Sequence, residues 1–440
     1  MSNWSLHFRA GLLPIFVGVL MAADWTTTGA AEMKWTHFTI ADPLPGSSWG
    51  TGGLPLLDLD GDGDLDVVLS RRETQTAYWF ERKTDAVWVR HTIGQTEGLA
   101  NALGAAAVDV NQDGRPDIVF NRVWFENPGG LAENPDKPWP AHPFEGGGHD
   151  ILAADINADG RLDIVTYHGK EVAWFDPVAG MKRIEIGRGR DNHGGITPRG
   201  VGDLDGDGDL DIVIPDYWFE NPGKGEGAWV RHEWPYLGVD KASYGPSIRS
   251  WIVDLNGDGH NDIVYSDCDT GLSHVYWVKN LGHGAAWERH QLPDPPTAPG
   301  DVPGTGSFHS LGVADFDGDG NLDIFAGEQE DPDTYMESDG KLAMKPRGLK
   351  ERGVIWLGSG GERPTFTPVV IHTDNPGWHD AQLGDVDGDG DIDIVTKIWN
   401  KDGATYHVDY WRNDTPQPDS PGASKKPAGT TRSSERPSGD

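Results

Sequence analysis

With 440 residues, 36 Lys and Arg against 70 Asp and Glu, and a formal charge of −34, this chain has none of the basic stripe that nucleic-acid phosphates attract. Its N-terminal apolar run, 11–21, is too short to cross a bilayer and no long apolar stretch follows it, so no transmembrane segment is expected. The single cysteine, Cys268, rules out an intramolecular disulfide.

In chain order, residues 1–31 read as a secretory signal: Arg9, the run 11–21, then the small residues Gly29, Ala30 and Ala31 at a cleavage point. A secreted, periplasmic or extracellular location is expected. Lys34-Trp35-Thr36-His37-Phe38 then predicts a lone strand. From Asp58 onward a nine-residue pattern, Asp-x-(Asp/Asn)-x-Asp-Gly-x-x-Asp, occurs seven times, each copy running into a β-branched strand such as Ile164-Val165 or Ile394-Val395. Oxygen-bearing side chains stand at positions 1, 3, 5 and 9 of every copy. They are Asp58, Asp60, Asp62 and Asp66, then Asp109, Asn111, Asp113 and Asp117, then Asp155, Asn157, Asp159 and Asp163. The fourth and fifth copies supply Asp203, Asp205, Asp207 and Asp211, and Asp254, Asn256, Asp258 and Asp262. The last two supply Asp315, Asp317, Asp319 and Asp323, and Asp385, Asp387, Asp389 and Asp393.

Successive copies lie roughly 54 residues apart on average, the length of a four-stranded blade with long loops. After each loop a third strand recurs around Trp79, Trp124, Trp174, Trp218, Trp277, Trp356 and Trp411. A fourth recurs around Trp88, Trp139, Ile184, Trp229, Trp287 and Val369, one fewer than the loops require. Lys34 to Phe38 matches the missing fourth strand, which predicts an all-β, seven-bladed β-propeller over 32–413, closed by the N-terminal strand pairing with the last blade. Residues 414–440, rich in Pro, Ser, Gly and Lys, are expected to be a disordered tail.

The loops resemble the start of an EF-hand, with carboxylates at alternate positions and Gly at position 6, but a hairpin follows where an EF-hand has a helix. Hard oxygen donors in such a loop select Ca2+. Up to seven structural ions would bring the net charge to about −20. On these seven motifs, the stretch from Lys34 to Asn413 is similar to the FG-GAP/VCBS repeat family of seven-bladed propellers. Similar propellers form the core of carbohydrate-active lyases of the aldos-2-ulose dehydratase type, so the resemblance implies a carbohydrate ligand.

If the acidic loops join first to second strands on one rim, residues just before the first strand and just after the second lie on the opposite rim. Twelve repeated tryptophans are expected to pack between blades. The unrepeated Trp49, Trp234, Trp378 and Trp399 fall in the opposite-rim connections, where flat rings can stack on a sugar. His37, His91, His232 and His290 occupy one repeated place on outer strands and are expected to be solvated. His149, His309 and His379 each stand six residues before their loop's first Asp, so they are predicted to converge on the channel mouth, as a general base or as ligands for Zn2+ or another transition metal. His168 and His193 join them on that rim, with Arg122, Arg199 and Arg249 as anion-binding forks and with Tyr167 or Tyr244.

A carbohydrate or glycan ligand is therefore expected, with β-elimination by a lyase or dehydratase as the leading activity and His149, His309, His379, Arg199, Arg249 and Tyr167 as its catalytic set. The alternative is a non-catalytic propeller that presents the same rim to a glycan or to a protein partner. No nucleophile elbow or phosphate-cradling glycine loop is present.

Overall fold

The computed structural model describes residues 33–41, 43–44, 50–190, 193–238, 246–269, 273–296, 307–329, 334–336, 342–344, 351–373, 377–399 and 407–417. Trp49, Tyr244, the signal segment 1–31 and all but the first residues of the tail lie outside them.

Seven antiparallel sheets, each built on four strands, make the seven blades of the propeller. Blade three is the plainest: Asp150–Ala154, Asp163–His168, Glu171–Asp176 and Lys182–Arg188 follow one another from the axis outward. In the last blade the inner three strands are Asp380–Gly384, Asp393–Lys397 and Val408–Asn413, and the outermost is the N-terminal Trp35–Ala41. Trp35 pairs with Asn413 and Phe38 with Tyr410, so the ring closes as the strand count requires. Beyond this repeat, Pro198–Arg199 adds a parallel edge beside Ser250 and Trp251, and a small hairpin of Thr334–Met336 and Leu342–Met344 is inserted in blade six.

The second strands are rich in β-branched and aliphatic residues because both of their faces are covered by neighbouring blades. Asp66–Arg71, Asp262–Asp267 and Asp323–Glu328 are buried throughout, whereas outer strands such as Lys182–Arg188 are largely exposed. Between adjacent blades lies a separate apolar cluster. Trp79 packs with Phe120 and Phe125 across blades one and two, and Trp411 packs with Phe316 and Phe325 across blades six and seven. Of the seven third-strand tryptophans, six are almost fully buried and Trp124 is partly exposed.

Of the outer-strand histidines, His91 is buried, His232 and His290, with His142 at the same place in blade two, are half-buried, and His37 is exposed. His37, His142, His232 and His290 lie flat on Trp411, Trp124, Trp218 and Trp277, with ring centroids 4.1, 4.1, 4.3 and 4.7 Å apart. An imidazole placed across from an indole on the same sheet face covers apolar surface and keeps one nitrogen for a carboxylate, as His232 Nε2 does with Glu220 at 2.6 Å.

Candidate functional site

The two rims are built on different principles. On the loop rim, the first Asp of every copy accepts the N–H of the position-6 glycine, from Gly160 to Asp155 at 2.8 Å to Gly63 to Asp58 at 3.1 Å. These glycines, Gly63 to Gly390, have φ between 87° and 101°, which a side chain would strain. The ninth residue is more than a ligand candidate. Its carboxylate is buried and ties the loop to the end of the third strand: Asp211 accepts from Leu204 N–H at 2.8 Å and from Asn221 N–H at 2.9 Å. Burial pushes these carboxyls up, to about 8 for Asp66, about 7 for Asp211 and about 6 for Asp117.

Donor oxygens within 4.8 Å of one another gather in Asp58, Asp60 and Asp62, in Asp203, Asp205 and Asp211, in Asp315, Asp317 and Asp323, and in Asp385, Asp387 and Asp393. In the last of these loops Asp385 Oδ1 is buried with no hydrogen-bond partner. An all-oxygen donor set of this kind, carrying an orphaned lone pair, fits Ca2+.

A row of asparagines that motif reading missed sits beside this rim. Asn127, Asn221, Asn280 and Asn413 end the third strands of four blades, and each Nδ2 donates back to the preceding blade's loop, at Leu59 O, Ile156 O, Leu204 O and Phe316 O. The repeated Trp-Phe-Glu-Asn-Pro-Gly of 124–129 and 218–223 was the available signal.

At the opposite mouth the repeat is broken. A cavity of about 230 Å3 opens among the inner strands, bordered by Thr51, His149, Asp150, Thr197, Arg249, His379, Asp380 and Lys397. His309 and His379 stack with ring centroids 3.7 Å apart, His149 lies 6.4 Å from His309, and His193 lies 4.5 Å from His149. The structure thus places His149, His193, His309 and His379 in one column.

Asp150 and Arg249 organise that column. His149 Nδ1 donates to Asp150 Oδ1 at 2.7 Å, while Asp150 Oδ2 accepts three backbone N–H groups, from Gly195, Ile196 and Thr197, at 2.7 to 3.1 Å. Burial alone would raise this carboxyl, but the His149 hydrogen bond, the Arg249 charge and the backbone donors hold it well below the usual carboxylate range. Arg249 is 3 % exposed, and its Nε donates to His309 O at 2.9 Å while Nη1 lies 3.5 Å from Asp150. Burial, reinforced by Arg249, holds the His309 imidazole far below its ordinary value. Burial and the neighbouring His309 and Lys397 do the same to His379, and His193 falls to about 4, chiefly through burial. The sequence signal for Asp150 is the dipeptide His-Asp, repeated in the same register at 379–380, where Asp380 faces Lys397 at 3.5 Å.

Other expected site residues fall elsewhere. Tyr167 is 1 % exposed within the apolar cluster of blades three and four, as the cross-strand partner of Asp150. Arg199 is exposed, with its guanidinium 5.6 Å from the Trp251 ring, and borders a hollow toward the loop rim with Asp203 and Asn261. Arg122 and His168 share a separate hollow between blades two and three. Two tryptophans expected as sugar platforms are core residues: Trp378, 0 % exposed, stacks on Trp411 at 4.4 Å, and Trp234 donates to Ile214 O at 2.9 Å inside an aromatic cluster with Tyr236 and Tyr265. Trp399 alone of the described candidates borders the column, 5.7 Å edge-on from His379 with the Arg72 guanidinium 5.3 Å from its ring.

No curated protein sequence matches the chain significantly. Solved structures show distant likenesses only. An Agrocybe aegerita lectin that recognises non-reducing terminal N-acetylglucosamine has 18% identity and a TM-score of 0.46, over 75% of this chain and 82% of its own. The rhamnogalacturonan lyase YesW has 12% identity and a TM-score of 0.41, over 86% and 75%. The Aleuria aurantia lectin, solved with α-methyl-L-fucoside, has 14% identity and a TM-score of 0.38, over 75% and 98%. Residues 58–120 and 254–326 match the FG-GAP-like repeat, each match containing two of the acidic loops and the strands after them, and the chain is a seven-bladed propeller that carries FG-GAP-like repeats in these two stretches.

Proposed function

We propose that the channel mouth binds one ring of an acidic carbohydrate and removes a proton next to its carboxylate, with β-elimination of the leaving oxygen. The observation that carries this reading is the His149–Asp150 pair at the border of the cavity. A carboxylate kept ionised accepts the hydrogen bond from Nδ1–H and thereby leaves Nε2 of His149 as the basic nitrogen. Lys397 and Arg249 border the same cavity and supply positive charge for the enolate that proton removal creates. The cavity is smaller than the roughly 300–1,000 Å3 of sites that enclose a drug-sized ligand, which suits a single sugar ring with the rest of a chain outside.

Ca2+ in the acidic loops is read as structural, and the 1–31 segment as directing export. The histidine column is read as a base and its supports: among the described residues, His149, His309 and His379 do not form a donor set within 4.8 Å of one another, and His309 and His379 stack face to face.

Incubation with uronic-acid polymers should give an unsaturated product absorbing in the ultraviolet. His149→Ala should reduce its rate by about 100-fold or more, the contribution usual for a general base. Unsaturated product at an unchanged rate in that variant removes the base assignment. A second reading, glycan binding without turnover, is favoured by the mutual pairing of Asp150, Arg249 and His309; calorimetric binding of polymer with no ultraviolet change would select it.

A further inference from the structure

The hollow between blades two and three, about 680 Å3 and so larger than the cavity at the mouth, has no part in the proposed elimination. It opens on the mouth rim. The second strands of these blades, Asp117–Val119 and Asp163–His168, both start at acidic loops, so Asn121 and Arg122 follow the far end of one and His168 ends the other. The segment 144–149 ties the hollow to the mouth. Phe144 N–H donates to Arg122 O at 3.0 Å, Gly148 N–H donates to Asn121 Oδ1 at 3.1 Å, and the next residue is His149. Gly147, which lines the hollow, and His149 are separated by at most about 7 Å of extended chain. Gly147 has φ of 127°, and a Cβ there would meet Asn121 Oδ1 at 2.2 Å, so the close approach of this segment requires glycine.

Polar groups around this hollow are unspent. Among the described residues, the exposed Arg122 guanidinium and the exposed His168 imidazole have no hydrogen-bond or ion-pair partner. Asn121 is 7 % exposed; its Oδ1 is taken by Gly148, and its Nδ2 donates to nothing among the described residues. Other arginines of the rim are committed, Arg190 to Asp216 at 2.5 Å and Arg249 to His309 O at 2.9 Å. Of the two lining acids, Glu171 is neutralised by Arg183 at 3.1 Å and Arg188 at 2.5 Å, and Glu145 is exposed. Two lining arginines thus balance two lining acids, on a chain whose acids outnumber its bases 70 to 36, so an anion is repelled less here than over most of the surface.

We propose that the hollow is a second subsite for an acidic carbohydrate. With one ring of the polymer in the mouth, the carboxylate of a ring further along pairs with Arg122, and Asn121 Nδ2 and His168 hydrogen-bond its hydroxyls. The assignment rests on the reading of the mouth as a uronic-acid site, and is independent of turnover there.

The test is calorimetric, on the full chain, with the monomers and tetramers of glucuronate, galacturonate, mannuronate and guluronate as probes. At least one tetramer should bind about 10-fold or more tighter than its monomer, and this gain should shrink as salt rises, because an exposed guanidinium–carboxylate pair is screened. Arg122→Met should cut the gain by roughly 10-fold, the contribution of one charge-assisted hydrogen bond, and His168→Ala by roughly 3-fold. Arg190→Met, which removes an equal charge from the same rim, should leave the gain intact. A gain that survives Arg122→Met, a gain that Arg190→Met reduces as much, or no gain with any of the four sugars overturns the subsite. Elimination is read separately by ultraviolet absorbance. Product without a length-dependent gain removes the subsite alone, and a length-dependent gain without product removes the elimination alone.

Discussion

The loop rim and the channel mouth solve opposite problems with the same repeat. On the loop rim the first and ninth aspartates of each copy are held by backbone of their own blade: Asp155 takes the N–H of Gly160, five residues away, and Asp163 that of Ile156, seven residues away. At the mouth the organising contacts cross from blade to blade. Asp150 of blade three is held by backbone at 195–197, and Arg249 of blade five reaches His309 of blade six, which reaches His379 of blade seven. Local satisfaction permits repetition because each site needs only its own sequence. Satisfaction across blades produces one asymmetric site, because it needs different residues at equivalent places on the ring.

Four perturbations sharpen that contrast. The largest effect is expected at the loop rim as a set. Removing Ca2+ with a chelator should lower the melting temperature by roughly 10 °C or more, since each ion bound at 100 times its Kd contributes about 2.7 kcal/mol, and calcium but not magnesium should restore it. An unchanged melting curve would mean that the loops stand on hydrogen bonds alone.

Next comes the hub of the mouth. Arg249→Met leaves the buried Asp150 carboxylate without its cation and should cost about 3–5 kcal/mol in urea unfolding. A loss under about 1 kcal/mol would show that the backbone donors to Asp150 suffice.

Between the two regimes stands the asparagine row. Asn280→Ala removes bonds to Leu204 O at 2.7 Å and Asn261 O at 3.0 Å from a fully buried side chain, and should cost about 1–3 kcal/mol. The same change at Asn127, whose cross-blade bond is 3.5 Å, should cost less; equal losses would refute a role in joining blades.

The smallest effect is one of pH. His193 is held near pKa 4 in the fold against 6.5 when unfolded, so between those values the unfolded chain binds the extra proton. Stability should therefore fall as pH drops from about 6.5 toward 4, and His193→Gln should make that fall shallower. Urea midpoints measured across this range check the sign, and a slope unchanged by the substitution contradicts it.

The loops, the blade count and the closing strand were legible because each depends on local chemistry: a glycine at positive φ, an alternating carboxylate, a β-branched run. The gathering of His149, His309 and His379 could be read from register, since equivalent positions in a ring face one axis. What register could not show was depth. Trp378 and Trp399 flank blade seven's first two strands in sequence at one rim, and one is core while the other borders the mouth, a distinction made by what packs against them. Tyr167 and Arg199 failed to join the site for a related reason. A strand residue alternates faces, and only the packed sheet decides which face meets the channel and which the next blade.

Read alone, the amino-acid order of this protein determined its repeating unit, the number of copies and the way the ends meet, since all three follow from interactions spanning fewer than about ten residues or from one strand pairing. Tertiary structure decided which imidazoles touch, that Asp150 orients His149, and that Cys268 and Asp269 meet His309. Those contacts join residues dozens to hundreds of positions apart, and their geometry exists only after the blades have packed around a common axis.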